Sequence, residues 1–170
     1  VTPIEPPLLV ARAEDLAWSD SAQVVVVGWG AAGACAALQA RQEGASVLVI
    51  DRFEGGGASA LSGGVVYAGG GTPQQKEAGF VDSPQSMHAY LRHEVGQVVS
   101  DATLERFCHD SVANQRWLES HGVRFGATMP DHKTSYPPEG KFLYYSGNEM
   151  VPAYGQHLPP GQKPAPRGHR

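Results

Sequence analysis

The chain has 170 residues, 13 Lys and Arg against 17 Asp and Glu, a formal net charge of −4 and a pI near 5.9. That balance, with cations scattered along the chain, leaves no basic footprint for nucleic acid. No apolar run approaches the roughly 18 residues that would span a bilayer, and two cysteines do not make a disulfide framework.

Residues 1–22 read as an N-terminal extension. They contain Pro and acidic residues, and 1–21 lack the charged-then-apolar pattern of a secretory leader. Cys35 and Cys108 fall in separate helical segments, so a reduced, cytoplasmic chain is the simpler expectation. Seven histidines stand singly, with no ligand set at metal spacing.

Val24 to Val27 then form a four-valine run expected to be a strand buried on both faces. It passes into Gly28-Trp29-Gly30-Ala31-Ala32-Gly33 and directly into an alanine-rich helix through Glu43, closed by Gly44. Strand, G-x-G-x-x-G and helix in that order make the phosphate cradle of a dinucleotide-binding βαβ unit. Gly28 makes the tight turn, Gly30 lets the main chain approach a pyrophosphate, and Gly33 permits close helix–sheet packing. The N–H groups around Ala31 to Gly33 face the phosphates at the positive end of the helix dipole. A second apolar run, residues 47–50, ends at Asp51, which lies 18 residues after Gly33, the separation suited to an acid on the adenosine ribose.

The stretch after Asp51 is a second run of small residues, 52–71, whose glycines and serines cannot supply an amphipathic core stripe. An NAD domain would proceed here to another helix and strand. This composition suits a backbone lying against a large flat ligand, with the Ser59 and Ser62 hydroxyls available for hydrogen bonds. A solvated glycine loop is the alternative.

The sequence from Gln23 to Gly71, with its GWGAAG turn, Asp51-Arg52 and GGASALSGG, resembles the flavoproteins related to fumarate reductase and succinate dehydrogenase, and among them the 3-ketosteroid dehydrogenases. The resemblance implies an α/β fold: a Rossmann-like FAD-binding βαβ domain with a parallel sheet. Inserted helices and a Pro-rich C-terminal stretch, leading to a substrate domain not contained in these residues, complete it. It places Gly28, Gly30, Ala31, Ala32 and Gly33 on the pyrophosphate, and Asp51 on the adenosine ribose with Arg52 beside it. Ser59, Ala60, Ser62, Gly63 and Gly64 approach the remaining pyrophosphate, the ribityl chain and the flavin. The histidine that carries covalent FAD in succinate dehydrogenases has no counterpart between Gly55 and Gly71, so FAD is expected to be held non-covalently.

The implied reaction is dehydrogenation or reduction of a C–C bond next to a carbonyl in a small-molecule substrate, a 3-ketosteroid first and a dicarboxylate such as fumarate second. A non-catalytic FAD-binding module and an NAD-dependent dehydrogenase are the rivals. The groups that move the proton are expected beyond Arg170, and the electron acceptor is not specified.

The domain organisation expected is an extension at 1–22, a partial FAD-binding domain with a helical insertion at 23–128, and a Pro-rich connection at 129–170. The missing third parallel strand and the lack of an initiator Met suggest a partial chain. Ser83-Pro84 predicts a helix start with one apolar face of Met87, Tyr90, Leu91 and Val95, and Asp101 opens a longer helix to about His121. Leu104, Phe107, Cys108, Trp117 and Leu118 are its expected apolar positions, while His88, His93, His109 and His121 are read as surface or cap groups. Residues 123–125 and 141–145 read as short strands. Tyr136, Tyr144 and Tyr145 either face a steroid-sized pocket as proton donors or are ordinary strand and loop tyrosines. The segment 166–170 reads as a solvated basic end or the start of a linker.

Overall fold

The computed structural model describes residues 6–158 and 160–170, so the first five residues of the expected N-terminal extension and Pro159 lie outside the described residues. The chain divides into two compact units, Val1–Ser62 and Gly63–Arg170.

The first unit is a βαβ element. Strand β1 (Val24–Val27) pairs in parallel with β2 (Val47–Ile50), Val24 opposite Val47 and Val27 opposite Ile50. Helix α1 (Ala31–Gln42) joins them and packs on both. Its end is a Schellman motif: Gly44 takes φ +87°, its N–H donates to the Arg41 carbonyl, and the Ala45 N–H donates to the Ala40 carbonyl. A short helical turn, α2 (Gly57–Ala60), follows β2. The expectation of a strand buried on both faces is corrected here. Val25 is 51% and Val27 80% exposed, because β1 has one strand neighbour and α1 covers only one side of the pair.

The second unit is built on a three-stranded antiparallel sheet in the order β3 (Val66–Tyr67), β5 (Gly168–His169), β4 (Leu143–Tyr144). Helix α3 (Pro73–Glu77) begins with a capping box between Thr72 and Gln75. Helices α4 (Pro84–Val95) and α5 (Asp101–Ser120) form where Ser83-Pro84 and Asp101 predict them, and the Ser83 and Ser100 hydroxyls accept N–H bonds as N-caps. They pack on each other around Met87, Leu104 and Cys108, with Tyr67, Leu91, Val95 and Val99 at the margin. Along α5 the buried stripe is Leu104, Cys108, Ser111 and Gln115; Phe107 sits one position off it and is 42% exposed. A further turn, α6 (Pro152–Gly155), lies between β4 and β5.

Two more readings are corrected. Residues 123–125 form no strand: the Thr128 carbonyl accepts from both Phe142 and Leu143, and Phe125 turns its ring edge-on to His169 instead of joining the ladder. The supposed basic end is the middle strand of the sheet. Pro166, Arg167, Gly168 and His169 are all buried, with Arg167 1% exposed.

A polar network fills this unit. Arg167 donates through Nε and Nη2 to both oxygens of Asp82, at 3.0 and 2.8 Å. Asp82 also accepts from the Gly70 N–H and from Gln75 Nε2. Burial pushes the Asp82 carboxyl up, but the bonds and charge of Arg167 prevail and hold it below its ordinary value. Among the described residues, no helix is long and apolar enough to cross a membrane.

Candidate FAD-binding site

The site is assembled in the first unit, where the strand pair gives way to α1. Gly28 leaves β1 with φ +102°, and its N–H is fixed by the Ile50 carbonyl at 2.8 Å. Gly30 is the N-cap of α1 with no side chain to close the hollow above it, and Ala31, Ala32 and Gly33 form the first turn. Gly33 is dictated by space: a Cβ there would lie 1.9 Å from the Gly28 carbonyl oxygen. No side chain fits.

Asp51 stands at the exit of β2. Its Oδ2 accepts from the Trp29 N–H at 2.5 Å and its Oδ1 from the Phe53 N–H at 2.8 Å. The Trp29 amide first, then those of Phe53 and Arg52, draws its carboxyl below the ordinary value, so it is an anion throughout the neutral range. Each carboxylate oxygen has a second lone pair, which leaves acceptor capacity for ribose hydroxyls. Arg52 turns its guanidinium over the Phe53 ring, 5.5 Å from the centroid.

Residues 55–57 then fold back as a hook over the cradle. The Gly56 N–H donates to the Trp29 carbonyl at 2.6 Å, and a Cβ on Gly57 would lie 3.4 Å from the Gly30 Cα. The Ser59 hydroxyl accepts from the Ala31 N–H at 3.4 Å, a long bond to one of the amides expected to face phosphate. Ala60 packs beneath Gly56, where an added Cβ would meet its methyl at 2.7 Å, and the Ser62 hydroxyl donates to the Ser59 carbonyl. Two hollows flank Gly30. One, of about 550 Å³, is bordered by Gly28, Asp51, Arg52 and Gly57; the other, of about 470 Å³, by Trp29, Ala31, Gly55, Gly56, Ser59 and Ala60. Bare main chain, a helix N-terminus and a fixed anion at one end fit the ADP half of a dinucleotide.

Gly63 and Gly64 fall in the second unit, and an added Cβ on Gly63 would meet nothing. The later glycines of the run serve architecture there: the N–H groups of Gly69, Gly70 and Gly71 donate to Ser111, Asp82 and Gln75. The sequence reading missed Trp29 and the hook glycines. The signal was the run of three consecutive glycines at 55–57, all of which take positive φ in the structure.

The candidate tyrosines are not gathered at a common point. Tyr136 is 91% exposed in a loop, and Tyr144 is buried in β4. Tyr145 borders an apolar cleft of about 750 Å³ with Phe80, Val81 and Met150, while its hydroxyl donates to the Pro164 carbonyl. Of the helix histidines, His93 and His109 are exposed, His88 is half-buried, and His121 caps α5 with its Nδ1 2.7 Å from the Trp117 carbonyl oxygen.

Residues 23–165 match the model of the FAD binding domain family. Over its whole length the chain is 57% identical to 3-oxo-5-alpha-steroid 4-dehydrogenase of Comamonas testosteroni, of which it covers 32%. The crystal structure of 3-ketosteroid-delta4-(5alpha)-dehydrogenase from Rhodococcus jostii RHA1, solved with 4-androstene-3,17-dione, superimposes with a TM-score of 0.83 at 40% identity, over 90% of this chain and 31% of that one. The 3-ketosteroid delta1-dehydrogenase of Sterolibacterium denitrificans follows at a TM-score of 0.59 and 27% identity, over 86% of this chain and 22% of that one. The chain thus spans about a third of the first of these relatives. With a glycine cradle, an acid at the exit of β2 and a matching model over most of its residues, it belongs to the FAD binding domain family.

Proposed function

We propose that the chain is the cofactor-holding part of a flavin-dependent oxidoreductase acting on a C–C bond next to the carbonyl of a 3-ketosteroid. The observation that carries the reading is the coincidence of a cradle too tight for any side chain at Gly33 with likeness to a steroid 4-dehydrogenase along the entire chain. When bound, FAD would supply hydride acceptance or donation at the substrate carbon. The residues of this chain do the holding. Gly28, Gly30 and the amides of Ala31, Ala32 and Gly33 receive the pyrophosphate, Asp51 takes the ribose with Arg52 alongside, and Ser59, Ala60, Ser62, Gly63 and Gly64 extend toward the isoalloxazine. The groups that move the proton should mostly lie beyond Arg170. Attachment is non-covalent, since no histidine lies between Gly55 and Gly71, and a cytoplasmic setting is in keeping with the free thiols of Cys35 and Cys108.

The test is the visible spectrum of the purified full-length protein, followed by anaerobic titration with a saturated 3-oxosteroid and, separately, with succinate. Flavin bands that bleach with the steroid support the proposal. Bleaching by succinate alone would move the assignment to dicarboxylates, and bands unmoved by either would leave a non-catalytic module. A spectrum without flavin bands sinks the flavoenzyme reading. Acid precipitation should leave the flavin in the supernatant; a yellow pellet would mean a covalent bond.

A further inference from the structure

Trp29 occupies the first variable position of the G-x-G-x-x-G turn, where the motif itself gives the residue no task. It is 52% exposed. Core burial does not account for it, because no described residue of its unit is fully buried. Its contacts point elsewhere. The Trp29 N–H donates to Asp51, its carbonyl accepts from the Gly56 N–H, and its indole lies against Gly55. A Cβ added to Gly55 would meet the ring at 2.6 Å from Cε3 and 3.1 Å from Cδ2. One residue therefore touches the acid on the ribose side, the turn of the cradle, and the glycine hook on the pyrophosphate side.

We propose that Trp29 is a positioning residue for FAD: its indole braces the 55–57 hook against the cradle, so that the amides and Asp51 keep their spacing before the cofactor arrives. The inference rests on FAD being the ligand of this site. The two main-chain bonds of Trp29 survive any substitution except proline, which lacks the N–H. The ring contact does not, and without it the hook is tied to the cradle by the Gly56 N–H and the long Ala31–Ser59 bond. A hook free to lift must be ordered again on binding, which weakens affinity.

The experiment is a double-mutant cycle on the full-length protein stripped of flavin, with the Kd for added FAD read from quenching of flavin fluorescence. Trp29→Ala should weaken FAD about tenfold, equivalent to about 1.4 kcal/mol, with the melting temperature of the apoprotein unchanged. Trp29→Phe, which keeps a flat ring, should stay within about threefold. Gly55→Ala should weaken FAD strongly beside the native indole and much less in the Trp29→Ala background, where its methyl has no ring to strike. The strain of φ +89° at that position is common to both backgrounds and cancels.

An unchanged Kd in Trp29→Ala, an equal Gly55→Ala factor in the two backgrounds, or a fall in apoprotein melting temperature matching the lost affinity overturns the inference. If Trp29→Ala does not fold, Trp29→Leu, which keeps bulk but no plate, replaces it in the same cycle. Failure of the native apoprotein to take up FAD defeats the cofactor assignment itself, a result distinct from native binding that the Trp29 substitutions leave untouched.

Discussion

The two units reach order by opposite means. Within Val1–Ser62 no described residue is fully buried, and the geometry is set by main-chain bonds between near neighbours in space and by glycines where side chains do not fit. Within Gly63–Arg170 the largest enclosed side chains include Arg167, Gln75 and His169, each joined to a partner across a long stretch of sequence. Asp82 and Arg167 are 85 residues apart, and Thr72 meets His169 across 97. A cradle can be specified by what is left out of a turn. A polar interior must be specified by matching partners.

Removing one partner in that interior should give the largest effect. Asp82→Asn leaves the Arg167 guanidinium enclosed without its counter-ion, and should lower stability by roughly 3–5 kcal/mol in urea unfolding. Replacing both, as Asp82→Asn with Arg167→Met, should recover part of that loss. If Asp82→Asn unfolds at the native midpoint, the second unit does not depend on this pair and the contrast fails.

In the first unit the corresponding change is Gly33→Ala. A methyl 1.9 Å from the Gly28 carbonyl must displace the turn, so FAD affinity should fall by at least about a hundredfold, equivalent to about 3 kcal/mol. Hydrogen exchange in α4 and α5 should stay native, which makes the loss local. Unfolding of both units together would show that the two regions are not separately ordered.

The smallest expected effect sharpens the electrostatic side. Glu149 is 1% exposed; one oxygen accepts from the Gly147 N–H while the other has no partner among the described residues. Burial raises its carboxyl above the ordinary value, against the pull of backbone N–H groups and of Arg167, and the Tyr67 phenol lies near it. A carboxyl raised on folding favours the native state below the unfolded value and loses that contribution as pH climbs through the folded one. Glu149→Gln should therefore gain stability relative to the native protein as pH rises out of the ordinary carboxylate range, because only the native side chain pays for ionising in the interior. A difference flat in pH would show that this carboxyl is not shifted.

These contrasts explain which parts of the chain were legible. The cradle, α1, Gly44, the Ser83 cap and the start at Asp101 were readable because each is a local demand, met by residues within a turn of one another, and Asp51 was readable from its fixed distance after the cradle. Likeness to a flavoprotein family followed from the same contiguous stretch. The role of residues 166–170 was not readable. Two arginines, a histidine and a proline near a chain end look solvated until Asp82 and Thr72, far upstream, are known to meet them. Phe107 was misassigned for a related reason: helical spacing gives the apolar stripe to within one position, and the polar Ser111 and Gln115 take the buried row instead. Trp29 escaped because the motif specifies only its glycines.

Strand β5 lies between β3 and β4 although it is made last. On a translating ribosome the βαβ unit can therefore close while the Gly63–Arg170 sheet still lacks its central ribbon. Until residue 169 clears the exit tunnel, Asp82 waits uncompensated and Leu143 lacks its strand partner. Chaperone engagement during synthesis should peak over that interval and fall once the arginine docks.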